Sequence, residues 1–230
     1  MAYSANDRFG SRLILPLSIL LGLLGTPTLG SAANGPDFAV DQRRASENIW
    51  FDQEFFDANS CAVIEGCVAR PGVRTLMHFN ARILNQGNQD FELGQPGDPA
   101  SHGRFIWSPC HGHYHVIGWA DYSVQRSTPQ GSTDTVLVGR KQAFCIEDTH
   151  LTSGSREAKY TCNYQGITAG WADEYASNLP CQWLDVTEVT PGAAQLKINV
   201  NPDRVYYETN YENNEAIVSV FIPSIGELGH

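Results

Sequence analysis

Three histidines at alternate positions, His111, His113 and His115, are the side chains of this chain best suited to bind a metal. Successive side chains on a β-strand point to opposite faces, so a strand here would present three imidazoles on one side. Three nitrogen donors suit zinc, copper, nickel or iron and leave coordination positions open, which is typical of a catalytic metal. The histidines alone therefore predict a catalytic metal site, with zinc as the default ion.

The start of the chain has the features of a secretory signal. Arg8 and Arg12 precede an apolar run over residues 13–25, and small residues follow at positions 30–33. A basic region, a short apolar segment and a small-residue cleavage site define a signal peptide, and the apolar run is short for a membrane anchor. We predict a signal peptide over residues 1–33 and one secreted, extracytoplasmic domain over residues 34–230.

Cysteine usage agrees with export. The chain has six cysteines, all after the predicted signal. An even number in an exported chain predicts a disulfide framework whose connectivity the spacing leaves open. The positions are Cys61, Cys67, Cys110, Cys145, Cys162 and Cys181.

The formal net charge is −10. Such an acidic chain is poorly suited to nucleic acid or to anionic membrane surfaces, so neither is expected as a partner once the signal is removed. Negative charge favours cationic substrates through long-range steering, although solubility alone also explains it.

The sequence pattern indicates β structure. Apolar and polar residues alternate over residues 73–83 and 196–200, and residues 216–222 form a short run rich in β-branched residues. Glycine, proline and asparagine clusters separate these runs, and no long helical period occurs. We predict a mainly β fold with little helix: a β-sandwich-like core carrying long, disulfide-stapled loops.

Motifs on both sides of the histidines occur in a characteristic order. They are Trp107-x-x-Cys110-His111-x-His113-Tyr114-His115, then Lys141-x-x-Phe144-Cys145-x-Glu147-Asp148-Thr149, then Cys181-Gln182-Trp183-x-Asp185. In this order they resemble the catalytic domain of the lysyl oxidase family, and the similarity extends from Pro36 to about Val220.

The resemblance changes how three types of residue are interpreted. It implies that His111, His113 and His115 bind copper, and that Lys141 and Tyr175 are the precursors of the built-in cofactor lysine tyrosylquinone. By themselves, Lys141 would be a solvated lysine and Tyr175 an ordinary loop tyrosine. The implied activity is oxidation of primary amines, either peptidyl lysine or small amines, with O2 as acceptor, giving an aldehyde, ammonia and hydrogen peroxide.

The cofactor chemistry places demands on neighbouring groups. Addition of a lysine amine to an oxidised tyrosine requires the neutral amine, so we expect Lys141 to be partly buried. A general base must remove a substrate proton. We assign Asp121 to this role, with Asp148 and Asp173 as further candidates, although each carboxylate could instead hold a loop or a ligand histidine.

The resemblance also implies a disulfide pattern: Cys61–Cys110, Cys67–Cys181 and Cys145–Cys162. Cys110 is then a tether for the histidine segment rather than a metal ligand. Animal members carry a further cysteine pair, which aligns with Leu151 and Trp171 here. Ser108 stands where those members have an additional histidine.

Two other functions fit parts of the sequence. The stretch from residue 201 to 214 is also typical of Ig-like adhesion domains, which allows an exported metal-binding or adhesion module without catalysis. A zinc hydrolase could use the same three histidines with a bound water. The hydrolase leaves Lys141 and Tyr175 without a role.

Overall fold

A computed structural model describes residues 33–101, 103–129, 131–139, 144–224 and 226. Almost all of the predicted signal peptide, together with Lys141, lies outside the described residues. The described strands are β1 Phe38–Val40, β2 Trp50–Phe56, β3 Gly72–His78, β4 Ala81–Asn85, β5 Phe91–Gly94, β6 Phe105–Ser108, β7 His113–Val116, β8 Ala120–Ser127, β9 Thr133–Val138, β10 His150–Leu151, β11 Gln165–Ile167, β12 Trp171–Tyr175, β13 Trp183–Asp185, β14 Gly192–Val200 and β15 Glu215–Ile222. The helical turns are α1 Gln42–Ser46, α2 Cys61–Ile64 and a 3-10 turn at Pro99–Ser101.

The strands form antiparallel sheets, which confirms the mainly β fold. One four-stranded sheet has the order β15-β14-β8-β9, a second has β1-β4-β12-β10, and a third has β13-β3-β2. Two further pairs are β11-β5 and the β6-β7 hairpin. The main hydrophobic core contains side chains from the first two of these sheets, such as Ile83, Val124 and Leu196.

The two C-terminal strands match their sequence patterns. In β14, buried and less buried residues alternate from Ala194 to Val200, as expected for a strand with one face on the core. In β15, Ala216, Val218 and Ile222 are buried. Both runs predicted as strands from the sequence, 196–200 and 216–222, lie within these elements.

The run over residues 73–83 is two strands rather than the single strand its alternation predicts. β3 and β4 belong to different sheets, and Phe79 and Asn80 lie between them. The Asn80 side chain donates to the carbonyl of Glu47 and accepts from the N–H of Ser177, at 3.0 and 2.9 Å. These bonds to distant segments stabilise the break, and local alternation cannot reveal them.

All three disulfides implied by the resemblance are present: Cys61–Cys110, Cys67–Cys181 and Cys145–Cys162. Leu151 and Trp171, which align with the additional cysteine pair of animal members, lie directly opposite each other in the β10-β12 pair. The strand register therefore brings together the two positions that lack this cross-link.

The stretch from residue 201 to 214 has a structural role in this fold. The buried Glu208 carboxylate accepts hydrogen bonds from Asn201, from Asn214 and from the N–H of Phe38 on β1, at 2.7 to 2.9 Å. Burial raises the pKa of Glu208, and these bonds oppose the rise. Through these hydrogen bonds, Asn201, Glu208 and Asn214 connect β1 to the loop before β15.

None of the helical turns in the described part of the chain is long and apolar enough to cross a membrane.

Candidate metal and cofactor site

The three histidines lie on the β6-β7 hairpin, but not all of them lie on a strand. β7 begins at His113, and His111 is in the turn that precedes it. Gly112 has φ of +68°, a conformation that glycine adopts at little cost, and its N–H donates to the carbonyl of Ser108 at 2.9 Å. The prediction that all three histidines share one strand was therefore wrong for His111.

The turn nevertheless brings the three imidazoles together. One nitrogen from each of His111, His113 and His115 lies within 4.8 Å of the others, and His111 Nδ1 is 3.2 Å from His115 Nε2. His113 Nε2 is buried and has no hydrogen-bond partner. A metal ion would satisfy that nitrogen, since imidazole is a common ligand for zinc and copper.

The electrostatics favour a neutral imidazole at His113. Burial lowers the pKa of His113, and the neighbouring His111 lowers it further. Neutral histidine is the form that binds a metal. The three residues therefore fit a metal ion in geometry, and His113 also fits it in protonation.

Ser108 and Glu65 fix the position of the hairpin turn. Ser108 is buried; its hydroxyl donates to Glu65 at 2.5 Å and accepts from the N–H of His111 at 3.1 Å. Ser108, the position where a histidine is expected in animal members, thus holds His111 through its backbone.

Two disulfides border the histidine cluster. Cys61–Cys110 joins α2 to the residue before His111. Cys67–Cys181 brings the loop that follows β12 to the cluster, where Cys181 Sγ lies 4.0 Å from His111 Nε2. The tethering role predicted for Cys110 agrees with its disulfide.

Tyr175, at the end of β12, is buried in the main core. Its hydroxyl faces the Asp173 carboxyl and the Trp119 indole, although neither contact has the geometry of a hydrogen bond. Burial raises the pKa of Tyr175, and the nearby Asp173 raises it further. The phenol is therefore held in its neutral form within the core, near Asp173 and Trp119.

Phe144 connects Tyr175 to the histidine hairpin. The two aromatic rings stack with their centroids 5.2 Å apart, and the Phe144 carbonyl accepts from the N–H of Val116 at 3.4 Å. Val116 directly follows His115. Phe144 entered the sequence analysis only as part of a motif and Trp119 not at all, because neither residue type carries chemistry of its own at these positions.

The three candidate bases differ in their surroundings. Asp173 is 2% exposed, lies on the same face of β12 as Tyr175, and its carboxylate accepts from the N–H of Glu147 at 3.3 Å. Burial raises the pKa of Asp173, while its contact with Tyr175 opposes the rise. Asp173 is therefore a proton-holding group next to the phenol.

Asp148 and Asp121 have other neighbours. The Asp148 carboxylate accepts from the Thr168 hydroxyl and from the backbone N–H groups of Lys159, Tyr160 and Thr168. Asp121 precedes the buried Tyr122 on β8, so its side chain points to the opposite face of the sheet, towards Lys197. The structure does not bring either carboxylate to Tyr175.

The fold is mainly β and is cross-linked by three disulfides, and its hairpin carries a three-histidine cluster that is linked through Phe144 to a buried tyrosine. Residues 36–223 match the sequence model of the family described as lysyl oxidase, so this chain belongs to the lysyl oxidase family.

Several curated proteins are similar to this chain. Protein-lysine 6-oxidase of Rattus norvegicus is 35% identical over 167 residues, covering 67% of this chain and 38% of the relative. The human protein of that name is 31% identical over 191 residues, covering 78% and 44%. Lysyl oxidase homolog 4 of Homo sapiens is 31% identical over 204 residues, covering 84% and 25%. The chain thus spans less than half the length of these relatives.

Proposed function

We propose that this chain is a secreted, copper- and quinone-dependent amine oxidase. The observation that carries the proposal is the cluster of three imidazoles, one with a buried nitrogen lacking a partner, linked through Phe144 to a buried tyrosine. The three disulfides support secretion, since such bonds persist in oxidising compartments.

Copper is the ion that we assign to His111, His113 and His115. Their nitrogen donors also suit zinc, but only copper of these two is redox-active. Oxidation of a tyrosine ring by O2 proceeds through one-electron steps, which a redox-inert ion does not support. The assignment rests on the family to which the chain belongs and on this chemical requirement.

Lys141 and Tyr175 are the proposed precursors of lysine tyrosylquinone. Lys141 precedes Phe144, the residue that stacks on Tyr175, by three positions, and three residues span at most about 11 Å. This short separation is compatible with a bond between Lys141 and Tyr175. When formed, this group supplies an electrophilic carbonyl that condenses with a primary amine and accepts two electrons.

The protein residues around Tyr175 would exclude water and manage protons. Phe144 covers one side of the ring, and the ring is otherwise buried in the core. For the general base, Asp121 remains a prediction, whereas the position of Asp173 beside Tyr175 supports Asp173 more strongly. A raised pKa suits such a group, because a base works best with a pKa near the operating pH.

The proposed reaction consumes a primary amine, O2 and water and releases an aldehyde, ammonia and hydrogen peroxide. Two of the similar proteins have the name protein-lysine 6-oxidase, which refers to lysine in a protein. We therefore propose the lysine side chain of a polypeptide as a substrate, with small primary amines as alternatives.

Lys141→Arg tests this function, with Lys159→Arg as the matched control. Lys159 forms an exposed ion pair with Asp90, so its replacement preserves charge away from Tyr175. Lys141→Arg should retain copper, measured by metal analysis, but lose quinone absorption and amine-dependent peroxide release. The control should keep all three. Full turnover by Lys141→Arg would contradict the proposal.

A further inference from the structure

β2 is an edge strand of its sheet in the described part of the chain. It has seven residues, pairs only with β3 there, and keeps continuous register from Trp50↔His78 to Phe56↔Gly72. An unpaired edge presents backbone N–H and C=O groups to any extended chain that approaches. Natural proteins commonly blunt such edges with proline, lysine or a bulge, and β2 has none of these.

Other sheet edges are less available. β9 is interrupted, since its pairing with β8 shifts register between Val124 and Gln125. β15 packs against α1, and the Gln42 side chain donates to the carbonyl of Ile217. β1 and β13 have three residues each, and β10 has two.

The side chains of β2 indicate a cationic occupant. β2 carries Asp52 and Glu54 on one face and has no lysine or arginine. Glu54 is exposed, and the Arg74 opposite it on β3 is buried and forms ion pairs with Asp185 and Glu188. On the other face, Phe55 and its cross-strand partner Val73 are 69% and 56% exposed. A basic strand placed here would pair with the carboxylates and cover this apolar pair.

The N-terminal end of β2 reaches the segment that follows Tyr175. Trp50 Nε1 donates to the Ser177 hydroxyl at 3.2 Å, and the Trp50 ring stacks on His78 at 3.7 Å. The two His78 nitrogens contact the Ser177 carbonyl and Asp52, both at 3.0 Å. Since Ser177 is two residues beyond Tyr175, a chain docked along β2 would end beside the proposed cofactor segment.

We propose that the edge of β2 binds an extended, lysine-rich polypeptide by strand addition and delivers its lysines towards Tyr175. Main-chain hydrogen bonds to β2 would supply affinity, and Glu54 with Asp52 would select basic side chains. This inference rests on the proposed function for the fate of the lysine, but the docking itself can be measured without turnover.

Hydrogen exchange tests the docking surface directly. The purified full-length protein would be incubated without oxygen, so that at most one amine per active site is oxidised, with and without a short poly-L-lysine peptide. The amides of Trp50–Phe56 should gain protection, while those of β9 should not. Protection on β9, or none on β2, would overturn the proposal. Self-association through β2 that excludes the peptide would also overturn it.

A charge reversal provides the matched comparison. Glu54→Lys should weaken poly-L-lysine binding roughly fivefold, since one attraction becomes one repulsion of surface magnitude. Glu212→Lys makes the same charge change on the loop before β15 and should leave binding unchanged. Equal affinity of Glu54→Lys and the unaltered protein would overturn the inference.

Turnover separates the docking proposal from the proposed function. With Glu54→Lys, KM for poly-L-lysine should rise while kcat and the oxidation of a small diamine stay unchanged. Strand addition without any amine oxidation would refute the oxidase and leave the docking site standing. Oxidation of small amines without protection of β2 would support the oxidase and refute the docking site.

Discussion

His113 and Asp173 illustrate how burial prepares single residues for chemistry. Burial lowers the pKa of His113 and raises that of Asp173, so each side chain is driven towards its neutral form. A neutral imidazole can bind a metal, and a neutral carboxyl adds no negative charge beside the phenol. The same desolvation therefore serves both halves of the candidate site.

Asp173→Asn should alter the pH dependence of stability. The folded state raises the pKa of Asp173. The contribution of Asp173 to the free energy of unfolding is therefore fully present below the pKa that Asp173 has in the unfolded chain, and it is lost as pH rises through the pKa that Asp173 has in the folded protein. Asparagine does not ionise, so it removes the cost of a charged carboxylate at this buried position. The stability of Asp173→Asn relative to the unaltered protein should therefore increase with pH, as measured by denaturant titrations at several pH values. A difference independent of pH would contradict a raised pKa at Asp173.

At the scale of elements, the site depends on a hairpin turn, one strand end and two cross-links. The turn between β6 and β7 carries His111, β7 carries the other two histidines, and β12 ends at Tyr175, on which Phe144 stacks. Cys67–Cys181 closes the arrangement by holding the loop after Tyr175 against His111. These elements are distant in sequence, so the disulfide contributes both stability and position.

Removal of Cys67–Cys181 by paired serine substitutions should cost about 2–5 kcal/mol of unfolding free energy, because this bond constrains a long loop of the unfolded chain. The residues it joins are 114 positions apart. Copper affinity should fall as well, since Cys181 contacts His111. Serine substitutions at Cys145 and Cys162, 17 positions apart, are the control and should cost less stability. Thermal melts and copper titrations check both effects; unchanged copper affinity in the first variant would count against the positioning role.

Local pattern and long-range contact account for different parts of the structure. The strand character of β14 was predictable because its alternation reflects a single buried face, and that of β15 because residues 216–222 are rich in β-branched residues. The break between β3 and β4 was not, since it depends on contacts of Asn80 with Glu47 and Ser177. The histidine cluster was predicted correctly as a group, while the place of His111 in a turn depends on the backbone at Gly112. The link through Phe144 requires the tertiary fold.

At the scale of the whole molecule, the net charge of −10 should steer cationic substrates towards the protein. For poly-L-lysine, kcat/KM should fall as ionic strength rises from about 0.01 to 0.15 M, because the screening length shortens from roughly 30 to 8 Å. The value of kcat should change little, since screening acts on encounter. Steady-state peroxide assays over this range check the prediction, and a constant kcat/KM would exclude steering.

The central claim is that Lys141 and Tyr175 become one cofactor in the copper-loaded protein. The most direct test is peptide mass spectrometry of protein matured with copper and O2, digested after disulfide reduction. The account predicts a cross-linked species that joins the peptides containing Lys141 and Tyr175 and that is absent when copper is withheld. Recovery of both peptides unlinked from the copper-loaded protein, with no quinone absorption, would contradict it.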